Sequence, residues 1–265
     1  MSDTDDWTSG WEIVPEGDRA VARVLPRPPC LRCAGSGLRE VGYGGERRVA
    51  RCRCQMLPDR VALFNRARIP ARHASNSMES FRSDAPGANT MCFVLARRWL
   101  DAYRVGEENR GLVMYGEPGR GKTHLAVAIV RELVFRHGVN AGFVEFTHLL
   151  ASIREGIGRD DPTATSLEPY VAPQVLVIDE LAKGRRTEWE VSILDELVSR
   201  RYNAGRTLIA TTNFPLRPPP RRPNDPATLV ESLPERLGPR IMSRLKETVA
   251  WAEAQGEDYR TTRGK

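Results

Sequence analysis

The chain has 265 residues, 40% hydrophobic and 28% charged, with a formal net charge of +6. That length suits one sizeable α/β domain with an appendage. With no run of about 18 apolar residues and an acidic start unlike a secretory signal, the composition argues against a membrane partner and for a cytoplasmic protein.

The charge is unevenly spread. Residues 1–20 carry six acids against one arginine, whereas residues 21–75 carry twelve arginines against three acids. Such a basic stretch suits a polyanion such as nucleic acid. Only four of the forty basic residues are lysine, so a general use of arginine on solvated faces accounts for it equally well.

In chain order, residues 1–29 read as a poorly ordered tail, acidic and then punctuated by Pro15, Pro26, Pro28 and Pro29. Trp7 and Trp11 within it either dock a protein partner or fold back onto the domain. Residues 30–56 form a small module. Cys30-Leu31-Arg32-Cys33 and Cys52-Arg53-Cys54 flank eighteen residues that include five glycines. Two close cysteine pairs on turns can place four thiolates at the corners of a tetrahedron, as a closed, structural Zn2+ site requires. The cysteines therefore suggest metal binding rather than a disulfide framework. Residues 57–89 read as a helical linker. A helix from Leu57 to Ala71 is stopped at Pro70, and a loop from Ser75 to Asn89 is anchored by Met78 and Phe81.

Residues 90–265 carry an alternating α/β pattern. A helix starts near Thr90 with Met91, Leu95, Trp99 and Tyr103 on its apolar face, and Cys92 belongs to the core. Apolar runs at Leu112–Tyr115, Ala141–Phe146, Val175–Ile178 and Thr207–Thr212 read as strands. The runs at 175–178 and 207–212 have the continuity of strands buried on both faces. Helices follow at His124–Val130, Thr147–Ile157 and Trp189–Tyr202. The six prolines of residues 214–226 exclude regular structure. A short helix from Pro239 to Lys246 and a strand from Glu247 to Trp251 follow. Strands alternating with helices specify a parallel, doubly wound sheet with ligand at the strands' carboxyl ends.

The chemistry concentrates around Gly116-Glu117-Pro118-Gly119-Arg120-Gly121-Lys122-Thr123, followed by His124. This stretch fits G-x-x-x-x-G-K-[S/T] between a strand and a helix. Its glycines let successive N–H groups face phosphate oxygens at a helix N-terminus. Lys122 would reach the β- and γ-phosphates of a nucleoside triphosphate, and Thr123 would ligate Mg2+. Asp179 and Glu180 emerge at the end of a central strand, the first to hold Mg2+ and the second to act as general base. Asn213 closes the next strand. It either contacts the γ-phosphate and attacking water or simply ends the strand.

Together these residues resemble the AAA+ ATPases, and specifically the DnaC/DnaI helicase-loader and IstB-type family. Gly116–Thr123 resembles Walker A, Val175–Glu180 Walker B, and Thr211-Thr212-Asn213 sensor 1. The run Leu237–Leu245 is similar to the family's arginine-finger segment. By that resemblance Arg244, with Arg240 beside it, is offered to the ATP of a neighbouring subunit. Asp258-Tyr259-Arg260 resembles sensor 2, which implies a γ-phosphate contact for Arg260. The cysteine-rich start and Arg68-Ile69-Pro70 also resemble the N-terminal part of loader-like proteins.

The resemblance implies an AAA+ P-loop ATPase, Mg-dependent and assembling with ATP into a homo-oligomer, preceded by a four-cysteine zinc-ribbon-like module. Its implied partners are a hexameric replicative helicase and single-stranded DNA. The alternative is a transposition helper acting on duplex DNA and a transposase. The cysteine-rich start favours the loader.

Overall fold

The computed structural model describes residues 10–26, 30, 32–43, 46–83, 88–157, 165–218 and 231–259. Two antiparallel hairpins come first, β1 (Trp11–Glu16) with β2 (Arg19–Val24), and β3 (Leu38–Tyr43) with β4 (Glu46–Arg51). Then come α1 (Met56–Arg66), α2 (Thr90–Ala102), β5 (Gly111–Tyr115), α3 (Lys122–His137), β6 (Ala141–Glu145), α4 (Phe146–Gly156) and the short α5 (Glu168–Val171). The chain continues through β7 (Val175–Asp179), α6 (Glu188–Asn203), β8 (Thr207–Thr212), α7 (Leu233–Thr248) and β9 (Val249–Glu253).

The last five strands form one parallel sheet in the order β6-β7-β8-β5-β9. Strand side chains alternate between faces, and helices cover both. Leu112, Met114, Val177 and Ile209 pack with α1, α2 and α3, while Val113, Leu176, Ile178, Leu208 and Ala210 pack with α4, α6 and α7. Parallel strands put all five carboxyl ends on one edge, where the loops after β5, β7 and β8 meet.

Residues 10–26 correct the expectation of a disordered tail. Trp11 stacks on Phe135 of α3 with ring centroids 3.8 Å apart and an interplanar angle of 3°. The Arg131 guanidinium lies 4.8 Å from the Trp11 ring centroid. Ala20 and Ala22 are buried, and Asn65 of α1 accepts from the Ala22 N–H at 2.7 Å. Trp11 therefore folds back onto the domain, while Trp7 lies outside the described residues.

Three helices differ in detail from the sequence expectation. α1 ends at Arg66, short of Ala71, and Arg68 is left-handed at φ 59°. On α2 the buried stripe is Cys92, Ala96 and Leu100, while Met91 is 59% exposed and Leu95 and Trp99 are half-buried. The small Cys92 and Ala96 let α2 approach α3 and β9 closely, which turns the larger residues toward the rim. α7 begins at Leu233 rather than Pro239, because Ser232 and Glu235 form a capping box ahead of it. Gly238 interrupts α7 at φ 77°, ψ 168°. The last strand runs from Val249 rather than Glu247, because α7 persists through Thr248. No helix is long and apolar enough to cross a membrane, among the described residues.

Gly238 occupies a backbone region essentially reserved for glycine, with open space where a Cβ would sit. Gly238→Ala should therefore destabilise by about 1–3 kcal/mol through backbone strain alone. Equilibrium denaturation reads this directly, and an unchanged midpoint would contradict it.

Candidate functional site

The loop between β5 and α3 curls because Gly116, Gly119 and Gly121 adopt φ of 131°, 76° and 76°. It is closely packed as well as curled. A Cβ on Gly121 would lie 2.6 Å from the Phe81 ring, and one on Gly119 only 1.8 Å from Asp258 Oδ1. Gly121 is also the N-cap of α3, so the partial positive charge of that helix points into the loop. Lys122 is buried, and its ammonium donates to the carbonyl oxygens of Gly116 and Glu117, each at 2.7 Å. A lysine folded across the loop in this way stands where phosphate oxygens would be met.

Beneath the loop, Asp179 is 1% exposed. Its Oδ1 accepts from Thr123 Oγ1 at 2.8 Å and from Thr211 Oγ1 at 2.5 Å. Burial raises the Asp179 carboxyl above its ordinary range, and the two hydroxyls oppose that rise. Glu180 follows in a left-handed conformation, φ 53°, with its N–H donating to Thr211 Oγ1 at 3.0 Å. Its carboxylate pairs with Lys183.

A cleft of about 520 Å³ opens over these groups. Pro118, Gly119, Arg120, Gly121, Lys122, Thr123, His124, Glu180 and Asn213 line it, whereas Gly116, Glu117 and Asp179 join it through hydrogen bonds to Lys122 and Thr123. Glu117 and Arg120 pair with each other, and Arg120 also donates to the Ala254 carbonyl at 3.0 Å. His124 Nε2 lies 2.8 Å from the Ser77 carbonyl oxygen, which makes Nε2 the protonated nitrogen and ties α3 to the segment before α2. Arg240 and Arg244 are not in this cleft. Both face Asp195 of α6, at 3.4 Å and 2.9 Å. Arg260 lies outside the described residues, but its neighbour Tyr259 lines the cleft and donates its N–H to Gly119 O at 3.0 Å.

Several residues in the site were not anticipated for it. Asn89 is 1% exposed, caps α2 by accepting from Cys92 N, and donates to Arg120 O at 2.9 Å. Its signal was an asparagine directly before a helix start. Phe81, expected only as a loop anchor, stacks on Phe93 and meets His124 and Tyr259 edge-on. His73 and Asn76 line the far side of the cleft. Burial, then Arg72 and His124, lowers His73 to about 4, so it is neutral at physiological pH. No local pattern distinguishes His73 or Asn76 from surface residues.

The cysteine cluster is a separate site. The Sγ atoms of Cys30, Cys33, Cys52 and Cys54 all lie within 4.8 Å of one another. The Cys30–Cys52 and Cys33–Cys54 separations are 3.8 Å and 3.6 Å, against the ~2 Å of a disulfide. A tetrahedron with metal–sulfur bonds of ~2.3 Å has edges of about 3.8 Å, so the donor set fits a tetrahedral metal ion. The hairpin β3–β4 brings the pairs together, with Cys52 N donating to Gly37 O at 2.7 Å and Gly37 N to Cys33 Sγ at 3.3 Å. Burial opposes ionisation of Cys33, but that N–H, the thiol of Cys54, the Gly35 N–H and Cys52 together outweigh it and bring Cys33 to about 7. Burial and then the other three sulfurs push Cys54 up to about 12. With all four ionised, the sulfurs would carry a charge that only a cation between them could offset.

Residues 80–240 match the family described as IstB-like ATP binding protein, and the chain belongs to that family. It is 33% identical over 157 residues to the putative ATP-binding protein Rv3427c in an insertion sequence of Mycobacterium tuberculosis, covering 58% of this chain and 59% of that one. It is 25% identical over 201 residues to the replicative helicase loader DnaC of Escherichia coli K12, covering 75% and 74%. The fold matches the crystal structure of the DnaC helicase loader at TM-score 0.57 and 24% identity, over 69% of this chain and 98% of that one. It matches the crystal structure of DnaI at TM-score 0.53 and 20% identity, over 72% and 93%. The fold is thus that of an AAA+ P-loop protein.

Two outcomes follow from the geometry. The folded protein keeps the Asp179 proton to higher pH than the unfolded chain does, so this group's contribution to stability falls as pH rises through the raised pKa. Without nucleotide, Asp179→Asn should melt at the same or a higher temperature at neutral pH, with any gain shrinking toward pH 4. A lower melting temperature at neutral pH would contradict the account. Reduced protein should bind about one Zn2+ per chain, and Cys52→Ala should abolish this. Metal analysis after dialysis reads it, and undiminished zinc in the variant would contradict it.

Proposed function

We propose, with family membership as the premise, that the chain is an ATP-dependent loader that delivers a hexameric replicative helicase to single-stranded DNA. The observation that carries the ATPase part is Asp179 Oδ1 bridging Thr123 at the loop and Thr211 before Asn213, with Glu180 next in sequence. This links a phosphate-binding helix, a metal-binding carboxylate and a strand end into one unit.

In this reading the loop N–H groups and Lys122 bind the β- and γ-phosphates, with Lys122 exchanging the carbonyls of Gly116 and Glu117 for phosphate oxygens. Thr123 and Asp179 would hold Mg2+, which would neutralise charge on the phosphates. Glu180, released from Lys183 when γ-phosphate competes for that ammonium, takes a proton from the attacking water. Asn213 orients that water or the γ-phosphate. Arg260 contacts the γ-phosphate from within the same subunit. Arg244, with Arg240 beside it, exchanges Asp195 for the ATP of a neighbouring subunit, so nucleotide drives homo-oligomer assembly. Their positions outside the subunit's own cleft suit that role. The four cysteines hold a structural Zn2+ in a module that grips the helicase. That module lies before residues 80–240, the stretch that the family model matches.

The second reading is a transposition helper acting on duplex DNA and a transposase. The higher identity to the insertion-sequence protein favours it, whereas the longer match to DnaC favours the loader. The deciding experiment is a pull-down with Glu180→Gln protein held in the ATP state, with and without single-stranded DNA. Recovery of a hexameric helicase is expected, and recovery of a transposase would overturn the loader reading. Arg244→Ala should keep ATP binding but lose turnover by about 10³-fold or more. Near-wild-type turnover in that variant would move the finger to Arg240 or elsewhere.

A further inference from the structure

Arg236, in the first turns of α7, is tied to both loops that carry the hydrolytic groups. Its Nε donates to the Ala182 carbonyl at 2.9 Å and its Nη2 to the Gly184 carbonyl at 2.6 Å. Both carbonyls belong to the stretch that follows Glu180. The guanidinium carbon lies 4.4 Å from the ring centroid of Phe214, the residue after Asn213. Nη1 pairs with Glu231, and the Arg236 side chain is only 9% exposed. A guanidinium can do all this at once, because its N–H groups leave in the plane while its face stacks on a ring.

The Glu180 loop needs such a restraint. Glu180 and Ala182 are both left-handed, at φ 53° and 67°, a conformation non-glycine residues keep only when their surroundings hold them. The Asn213 loop is tied to the same turn of α7 a second time, since Leu233 N donates to Pro215 O at 2.8 Å. Beyond Gly238, α7 continues to Arg240 and Arg244.

We propose that Arg236 is a positioning residue through which α7 sets Glu180 and Asn213 relative to one another. Seating of α7 against a neighbouring subunit then reaches the hydrolytic groups of its own subunit. The proposal rests on the ATPase reading above. Arg236 does not line the nucleotide cleft, so its removal leaves the binding surface in place.

The test uses full-length Arg236→Gln and Arg236→Lys, with the Kd of a fluorescent ATP analogue, KM and kcat measured separately. The expectation is a kcat lowered about tenfold or more, with Kd and KM within about twofold. Lysine should not rescue, because an ammonium cannot span two carbonyls and stack as well. Glu231→Gln keeps the carbonyl clasp and should hold kcat within about threefold. Wild-type kcat in Arg236→Gln, or equal losses in ATP binding and turnover, would overturn the proposal. If Arg236→Gln fails to fold, Phe214→Leu removes the stacked ring alone. Lowered kcat at unchanged Kd in that variant supports the role, and unchanged kcat overturns it. A wild-type chain that binds ATP without any turnover overturns the ATPase reading itself.

Discussion

One oxygen of the Asp179 carboxylate accepts from two threonine hydroxyls, Thr123 at the start of α3 and Thr211 near the end of β8. Hydrogen bonds to a charged group contribute about 1.5–3 kcal/mol each, which offsets part of the cost of burying the carboxylate. The geometry depends on the parallel sheet. Because β7 and β8 are adjacent and run the same way, their carboxyl ends lie side by side, and the P-loop descends onto them from β5 on the other side of β8. Glu180 inherits its place from the same cluster, since its N–H is held by the same Thr211 hydroxyl.

Around the loop, elements distant in sequence converge. Phe81 and Asn89 arrive from the segment before and at the start of α2, and Tyr259 from beyond β9. A side chain at Gly119 or Gly121 would strain a left-handed backbone and have to displace Asp258 or Phe81. A loop wedged from both sides cannot change shape without moving its neighbours. The cysteine module leads through α1 and residues 67–83 into this same packing. The hairpin β1–β2 fastens to α1 through Asn65 and to α3 through Trp11.

The sheet was legible because its strands are short apolar runs, and the β-strands at 175–179 and 207–212 are buried along their whole length. The phosphate loop, the Asp179-Glu180 pair and the cysteine pairs were legible because each chemistry needs particular residue types at fixed spacing. Other features carry no such mark. The β1–β2 hairpin fully buries only Ala20 and Ala22 and half-buries Trp11, Ile13, Val14 and Val21, and this short apolar pattern sits among acids, arginines and prolines that read as a tail. α2 buries a stripe of small residues beside a larger one that looks more hydrophobic on paper. Arg201 reads as a surface residue, yet it is 1% exposed and donates to carbonyls of α5, the turn before β7 and β8, with burial lowering it to about 9. Arg236 is likewise one arginine among many until the fold sets it between two loops.

In the proposed function a complete hydrolytic site needs two subunits, one holding ATP and the other offering Arg244. The most direct measurement mixes Lys122→Ala protein, whose own site cannot hold phosphate, with Arg244→Ala protein, whose site is intact but lacks a finger for its neighbour. Each should be nearly inactive alone, and the account predicts that the mixture regains ATP turnover as hybrid assemblies form. A mixture no more active than the sum of its parts, with both proteins folded and co-assembling, would contradict it.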